Sequence, residues 1–349
     1  MNHNTPLSPR PLQQLVAGPR RVLTAAQLRA HGVPAAETNA QCRPGGPWRQ
    51  LLPGVVLLHP GPPTSEERLH AVLLYAARER TAGVPSQPGA RAACGTGPAE
   101  AVITGLAALT LHGFTSTPPL PALDAIDVLV PRLRRLRSAG CARILRTADL
   151  PVPEQVTGLP VAPVARALAD TVAELTDAAA VQRLLTEAVR GGYCEPASVV
   201  RELKRARLLS RPHVVDAVES LLAEGRAIAE DRLYRLVREY GLPDPAWNVD
   251  LRLPGGPLLG GVDAYWPDHA VAVELDTRAH RRGQPHDEDA VWSEYVRKRE
   301  HLERLGITVV HLTPKKLRDA PEQQATVVRT ALMAAEDREP AAYVVVLPR

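Results

Sequence analysis

The sequence predicts a mixed α/β protein, α+β overall, with more than one domain. Two short helical patterns and an extended hairpin pattern open the chain, amphipathic helical patterns follow from residue 163, and the last section alternates helices and strands. Apolar spacing of three and four residues indicates helices, whereas alternation at every second residue indicates strands. With 349 residues, of which 45% are hydrophobic, the chain is long enough for two or three domains with their own cores.

Composition narrows the functional classes. The formal net charge is only +4, so binding to nucleic acid depends on local basic clusters rather than on a global field. The four cysteines are dispersed without CxxC spacing, which favours reduced thiols and a cytoplasmic location. No apolar run approaches transmembrane length, and residues 1–20 lack the apolar block of a signal peptide. We therefore expect no contact with a membrane.

The first 62 residues predict a small DNA-binding domain. Residues 1–19, rich in proline and polar residues, are expected to form a flexible arm, and residues 20–62 a winged helix-turn-helix. Thr24 can cap the first helix, Gly32 can end it, and Pro34 suits the first turn of the second helix. The residues expected to reach base edges or phosphates are Thr38, Asn39, Gln41, Arg43 and Arg49. The alternative is a small helical packing unit with solvated polar side chains.

Residues 63–224 predict a mixed middle region that becomes mostly helical. Helical patterns at 66–80 and 99–113 precede strand patterns at 126–131 and 142–146. The loop between those strands carries Arg132, Arg134, Arg135 and Arg137. Such a loop can contact phosphate, and an exposed solvated turn is the alternative. Four more helical patterns lie at 163–175, 177–192, 196–209 and 212–225.

Residues 225–349 begin with a helical pattern in which Glu230 is aligned with the apolar stripe of Leu233, Leu236 and Val237. An acid at such a position requires a cap, an ion pair or a place in an acid cluster. Three strand patterns, a polar loop, a long helix to Leu305, a strand and a helix at 321–336 follow, before a last strand pattern. This order is typical of an α/β sandwich.

The hairpin LLGGVDAYWPDHAVAVELD holds the most informative acids of the chain. Alternation in its second strand puts Glu274 and Asp276 on one face. A tight turn at 267–268 would place Asp263 opposite Ala272 and diagonal to Glu274, close enough to share one cation. Such a cluster on an apolar hairpin requires a metal or another partner. The alternative is an edge sheet with one solvated face, where acids are ordinary.

The last third of the chain resembles the PD-(D/E)XK nuclease superfamily, specifically its small Vsr-like branch. The matching text is Glu230, GLPDPAWNV, GGVDAYWPDHAVAVELD, His280 and RKREHLERLGITVVHLT. The resemblance implies a restriction-endonuclease-like α/β domain over 225–349 that hydrolyses DNA phosphodiester bonds with Mg²⁺ or Mn²⁺. Carried over by position, it makes Asp263 and Glu274 the metal ligands and Glu230 an accessory acid.

One position departs from the family pattern. Asp276 stands where the family's usual lysine comes, two residues after Glu274. The resemblance then implies one of two arrangements. Asp276 can be a further metal ligand, with His280 as proton acceptor, or Lys298 can reach the site from the next helix.

The front of the chain is similar to the winged-helix and middle regions of AbiEi-like antitoxin proteins. The similarity rests on RVLTAAQLRAHG, WRQLLPGVV and AVITGLAALTLHGF. It implies double-stranded DNA as a partner and allows a cognate toxin, and it leaves the oligomeric state open. Two hypotheses follow. The chain is a DNA-binding endonuclease, or it is a non-catalytic, antitoxin-like transcriptional regulator that retains the nuclease fold for binding.

Overall fold

The chain forms two compact units, Met1–Glu174 and Leu175–Arg349. The computed structural model describes residues 21–77, 101–276, 296–335 and 344–349. Helices combine with three mixed or antiparallel sheets in the described residues, so the predicted α+β class is confirmed. In the same part of the chain, no helix is both long enough and apolar enough to cross a membrane.

The first unit begins with two helices and a three-stranded sheet. The elements are β1 Val22–Thr24, α1 Ala25–Ala30, α2 Ala35–Gln41, β2 Arg49–Leu52 and β3 Val55–Leu57, with strand order β1-β3-β2. The predicted cap is confirmed, because the Thr24 hydroxyl accepts from the Gln27 amide and the Gln27 side chain accepts in return from the Thr24 amide. Gly32, with φ +83°, follows α1 as predicted. Leu28 and Trp48 are buried in the core below β1 and β3.

A five-stranded sheet completes the first unit. Its elements are α3 Ser65–Ala76, β4 Val102–Thr104, α4 Gly105–Leu111, β5 Ile126–Pro131, β6 Ala142–Thr147, β7 Glu154–Val156, β8 Leu159–Val161 and α5 Val164–Glu174. The strand order is β6-β5-β4-β8-β7, and β5 runs parallel to β6.

Two expectations for this sheet were wrong or incomplete. The helix expected over 99–113 is a strand, β4, followed by the shorter α4. The β-branched residues of β4 are fully buried in pairing with β5, and Gly105 at φ +66° turns the chain out of the strand. Strands β7 and β8 have three residues each, which is too short for alternation to reveal them.

The second unit opens with three helices, α6 Ala178–Arg190, α7 Pro196–Arg205 and α8 Pro212–Glu239. The expectation of two helices separated near Gly225 was wrong, because α8 is one helix of 28 residues. The predicted domain limit at 224/225 lies inside it. Gly225 is a point of close approach instead, since an added Cβ would lie 2.5 Å from Cγ of Pro196.

The rest of the second unit is a sheet covered on both faces. Its elements are β9 Ala246–Arg252, β10 Leu258–Trp266, β11 Val271–Leu275, α9 over 296–304, β12 Thr308–Leu312, α10 Pro314–Asp319, α11 Pro321–Ala335 and β13 Val345–Pro348, with strand order β12-β11-β10-β9-β13. One face packs against α8 and α11 through a cluster that includes Leu236, Trp266 and Leu332. Leu302 of α9 belongs to a second cluster with Tyr265 and Ala272. Helices therefore cover both faces, as the order of elements predicted.

Candidate active site

The hairpin register brings two carboxylates face to face. Tyr265 pairs with Ala272 and Ala264 with Val273, so one further step sets Asp263 directly opposite Glu274. The expected pairing of Asp263 with Ala272 was therefore wrong by two residues. The turn is a 3₁₀ turn over Pro267–His269, followed by a left-handed residue, rather than a two-residue turn. A slip of two residues keeps the same faces, and it moves the acids from a diagonal to a direct pair.

Glu274 also has a polar neighbour on its other side. β12 runs parallel to β11 and pairs His311 with Glu274, and the His311 Nδ1 atom lies 3.6 Å from Oε2 of Glu274. Asp263, Glu274 and His311 thus form a row across three neighbouring strands. Both acids are buried, with 7% of the surface of each exposed.

Lys298 reaches this row from α9. Its ammonium group contacts the Glu274 carboxylate and donates a hydrogen bond of 2.7 Å to the Gly261 carbonyl oxygen. Gly260 makes room for the lysine stem, because an added Cβ would lie 2.6 Å from Cε of Lys298. The lysine side chain is only 15% exposed. The structure therefore brings Lys298 next to Glu274, as the second predicted arrangement requires.

Arg226 is a site residue that sequence reasoning missed. Its guanidinium group lies 2.8 Å from Glu230 on the same helix and 2.5 Å from Oδ1 of Asp263. The other Asp263 oxygen accepts from the Leu275 amide at 2.7 Å. Arg226 thus links Glu230 on α8 to Asp263 of the hairpin. Its position four residues before Glu230, one helical turn, is the signal that could have indicated it.

His311 is the second missed residue. Burial lowers the pKa of its imidazole, an effect opposed by the negative charges of Glu274 and Asp276 and reinforced by Arg299 and Lys298. A histidine in the otherwise apolar stretch ITVVHLT was the available signal. The imidazole is therefore held toward its neutral form beside the acids.

The remaining predicted site residues have different outcomes. Asp276 follows β11, and its amide donates to the Leu312 carbonyl at 2.8 Å. Its negative charge partly opposes the lowering of the His311 pKa by burial. His280 lies outside the described residues, so its proposed role stays a prediction.

The donor chemistry of the row suits a small divalent cation. In the ranges that the structure describes, no three or more histidine, cysteine and acidic side chains are grouped to hold a metal. Mg²⁺, however, commonly takes only one or two protein carboxylates and completes its shell with water and substrate phosphate. Asp263 and Glu274 supply two hard oxygen ligands on adjacent strands. Arg226 is the competing cation at Asp263, and its side chain is 40% exposed.

The predicted DNA-contacting residues in the first unit are not equivalent. Thr38 is buried, and its hydroxyl donates to the Pro34 carbonyl at 3.1 Å, which corrects the expectation that it reaches DNA. It is a packing residue of α2. Asn39, Arg43 and Arg49 are exposed, and Gln41 is half-buried.

No protein-family model matches this chain, and no curated protein matches it. The likeness to nucleases and antitoxins therefore stays a prediction that rests on the residues quoted above.

Proposed function

We propose that the chain is a DNA-binding protein whose second unit contains a Mg²⁺-dependent endonuclease site. The observation that carries the proposal is the meeting of Asp263, Glu274 and Lys298, which come from two strands and a helix. Two carboxylates beside one lysine supply the charges that phosphodiester hydrolysis requires. They supply oxygen ligands for a hard cation and a positive charge for the phosphate under attack.

Each residue has a specific task in this proposal. Asp263 and Glu274 would hold Mg²⁺ or Mn²⁺, which when bound lowers the pKa of water and polarises the phosphoryl oxygen. Lys298, fixed by Gly261 and Glu274, stabilises the negative charge that develops on the scissile phosphate. The attacking water loses its proton to a base, for which the family resemblance suggests His280. The water oxygen forms a new bond to phosphorus as the bond from phosphorus to the ester oxygen breaks, and the departing alkoxide takes up a proton from solvent water.

Recognition of DNA is assigned to the first unit. Asn39 and Arg43, at and just after the exposed end of α2, have side chains that suit base edges and phosphates. Arg49 starts the wing strand β2 and is also exposed. These contacts would bind the chain to double-stranded DNA, where the second unit acts. Such local contacts do not require a high net charge.

Cleavage of supercoiled plasmid tests the proposal. Purified protein should nick plasmid in the presence of Mg²⁺ or Mn²⁺. Nicking should stop when EDTA is added. Asp263→Ala and Glu274→Ala should each abolish nicking. The matched control is Asp268→Asn, because Asp268 lies exposed in the turn of the same hairpin and should be dispensable. Absence of nicking by the wild type, or full activity of Asp263→Ala, contradicts the proposal.

A specific observation favours a second candidate, a non-catalytic regulator with an antitoxin-like role and a possible cognate toxin. Arg226 and Lys298 already contact Asp263 and Glu274, so each of the two acids has a balancing positive charge from the protein itself. Metal binding separates the two candidates without an activity assay. A ligand that binds only the folded state raises the melting temperature.

For the nuclease, Mg²⁺ should raise the melting temperature, and Arg226→Gln should respond at lower Mg²⁺ concentrations because the competing cation is gone. The regulator predicts no response in either protein. It also predicts a sequence-specific footprint on duplex DNA that disappears in an Asn39→Ala, Arg43→Gln double variant.

A further inference from the structure

The connection between β5 and β6 presents three exposed arginines, Arg132, Arg135 and Arg137. Other exposed arginines of the described residues form ion pairs with acids, such as Arg190 with Glu224 and Arg235 with Asp231. Within the described residues, neither an ion pair nor a side-chain hydrogen bond involves any of these three guanidinium groups. The loop thus carries about three positive charges that the surrounding described protein does not balance.

The backbone of this arginine loop is held from inside. The Tyr75 hydroxyl donates to the Arg137 carbonyl at 2.7 Å. Arg146 donates to two more loop carbonyls, those of Arg134 at 2.9 Å and Leu136 at 2.6 Å. The loop is therefore a fixed platform, and a ligand that binds its outward side chains does not have to order the backbone first.

The arginine loop also adjoins the wing. At Gly140, near the end of the loop, an added Cβ would lie 3.0 Å from Cδ2 of Leu52 and 3.4 Å from the Leu51 carbonyl oxygen. Both leucines belong to β2, the strand that begins with the exposed Arg49. A duplex held by the wing would therefore have the loop beside it.

We propose that Arg132, Arg135 and Arg137 form a second DNA contact, binding backbone phosphates next to the wing. The inference rests on the proposed DNA-binding function and extends its footprint from the helix-turn-helix into the five-stranded sheet. Arginine suits phosphate because its planar guanidinium group donates two parallel hydrogen bonds to two oxygens. Such contacts add affinity without reading sequence.

The salt dependence of duplex binding tests this inference. The full chain and a triple variant, Arg132→Gln, Arg135→Gln and Arg137→Gln, are titrated with a fluorescent mixed-sequence duplex at several KCl concentrations. Each lost phosphate contact lowers the slope of log K against log salt by about 0.9, so three lost contacts lower it by about 2.7. The triple variant should also bind less tightly at low salt.

A second triple variant controls for the loss of net charge. Arg201, Arg207 and Arg238 are exposed arginines of the second unit, and changing all three to Gln removes the same charge. This control should keep the wild-type slope. Melting curves check that all three proteins fold equally, which is expected because the substituted side chains are exposed.

The outcomes separate the two proposals. If the wild type binds duplex and the loop variant keeps the wild-type slope, only the loop inference is overturned. If the wild type binds no duplex at low salt, the proposed DNA-binding function fails and takes this inference with it. Binding to phosphatidylserine vesicles that the loop variant loses, with duplex binding unchanged, would show a lipid surface as the partner and overturn the inference.

Discussion

Each unit has a row of polar side chains across three neighbouring strands with an acid in the middle, and the two rows differ in how the acid is balanced. In the first unit the row is Thr104, Asp127 and Arg143. Arg143 contacts both oxygens of Asp127, one of them at 2.6 Å. Because this fork of hydrogen bonds is rigid and arginine is always charged, the central acid is neutralised within its own sheet.

The row of the second unit is Asp263, Glu274 and His311. Its central acid has another acid on one side and, on the other, a histidine whose pKa is lowered by burial. The balancing cations, Arg226 and Lys298, come from helices instead of from the sheet. Two carboxylates in register repel each other and attract any cation that can reach them.

A buried acid alone therefore does not mark a functional site. Near the first row, Asp170 accepts from the Thr104 hydroxyl at 2.6 Å and from the Arg166 guanidinium at 3.0 and 3.1 Å. These carboxylates have fixed partners, which is typical of a structural network. The row of the second unit differs because its central acid, Glu274, lies opposite another acid, Asp263, on the neighbouring strand.

The largest expected effect is the loss of nicking activity when Lys298 is replaced. Lys298→Met should lower metal-dependent nicking by about 100-fold or more, because it removes a preorganised charge from the phosphate. Lys298→Arg should recover only part of the activity, since a guanidinium group cannot occupy the place of one ammonium between Gly261 and Glu274. Initial nicking rates at saturating Mg²⁺ provide the measurement.

The counterpart in the first unit is Arg143→Lys. This change breaks the fork onto Asp127 and should cost about 1 kcal/mol of unfolding free energy, a modest value because the Arg143 side chain is 39% exposed. Nicking per folded molecule should stay unchanged. If Arg143→Lys lowered cleavage as strongly as Lys298→Met, the division into a structural and a functional row would not hold.

Replacing a glycine next to either row should have an intermediate effect, mainly on the free energy of unfolding. Gly105 has φ +66°, and an added Cβ would lie 2.4 Å from an Asp127 oxygen. Gly260 has φ +120°, and its added Cβ would collide with Lys298. Replacing either by Ala should cost about 1–3 kcal/mol of unfolding free energy. Only Gly260→Ala should also slow nicking, because it displaces the lysine.

Gly255→Ala separates backbone strain from collision. Gly255 has φ +64° with nothing within 4 Å of an added Cβ, so its substitution costs only the left-handed conformation, about 1 kcal/mol. Urea unfolding and nicking rates are measured on all three variants. Equal losses of stability in the three would mean that the collisions are absent.

The smallest expected effect is on how the free energy of unfolding changes with pH. Burial raises the pKa of Asp170 above its ordinary 3.8, against the opposing effects of Thr104 and Arg166. The folded chain therefore holds this proton more tightly than the unfolded chain, so the contribution of Asp170 to stability falls as pH rises through its folded pKa. Asp170→Asn removes that titration. Unfolding free energies at a series of pH values above 3.8 should show the wild type losing stability relative to the variant.

The opposite trend, with the wild type gaining stability over Asp170→Asn as pH rises, would mean that its partners outweigh burial. Thr104 and Arg166 would then stabilise the charged form of Asp170 by more than burial destabilises it.

Features that depend on neighbours along the chain could be predicted from the sequence. Alternation put Glu274 on one face of its strand, Thr24 could be identified as a helix cap, and the buried stripe of Leu233 and Leu236 defined one side of α8. These patterns are local, because side-chain period and capping need only a few consecutive residues.

Which polar groups contact one another depends on strand register and helix packing. The turn at Pro267–His269 set the register that places Asp263 opposite Glu274, and a slip of two residues leaves every face unchanged, so the alternation could not reveal it. The packing of α8 brings Arg226 to Asp263, and the pairing of β12 with β11 brings His311 to Glu274. Contacts between residues far apart in sequence depend on how helices pack on the sheet, which no local pattern encodes.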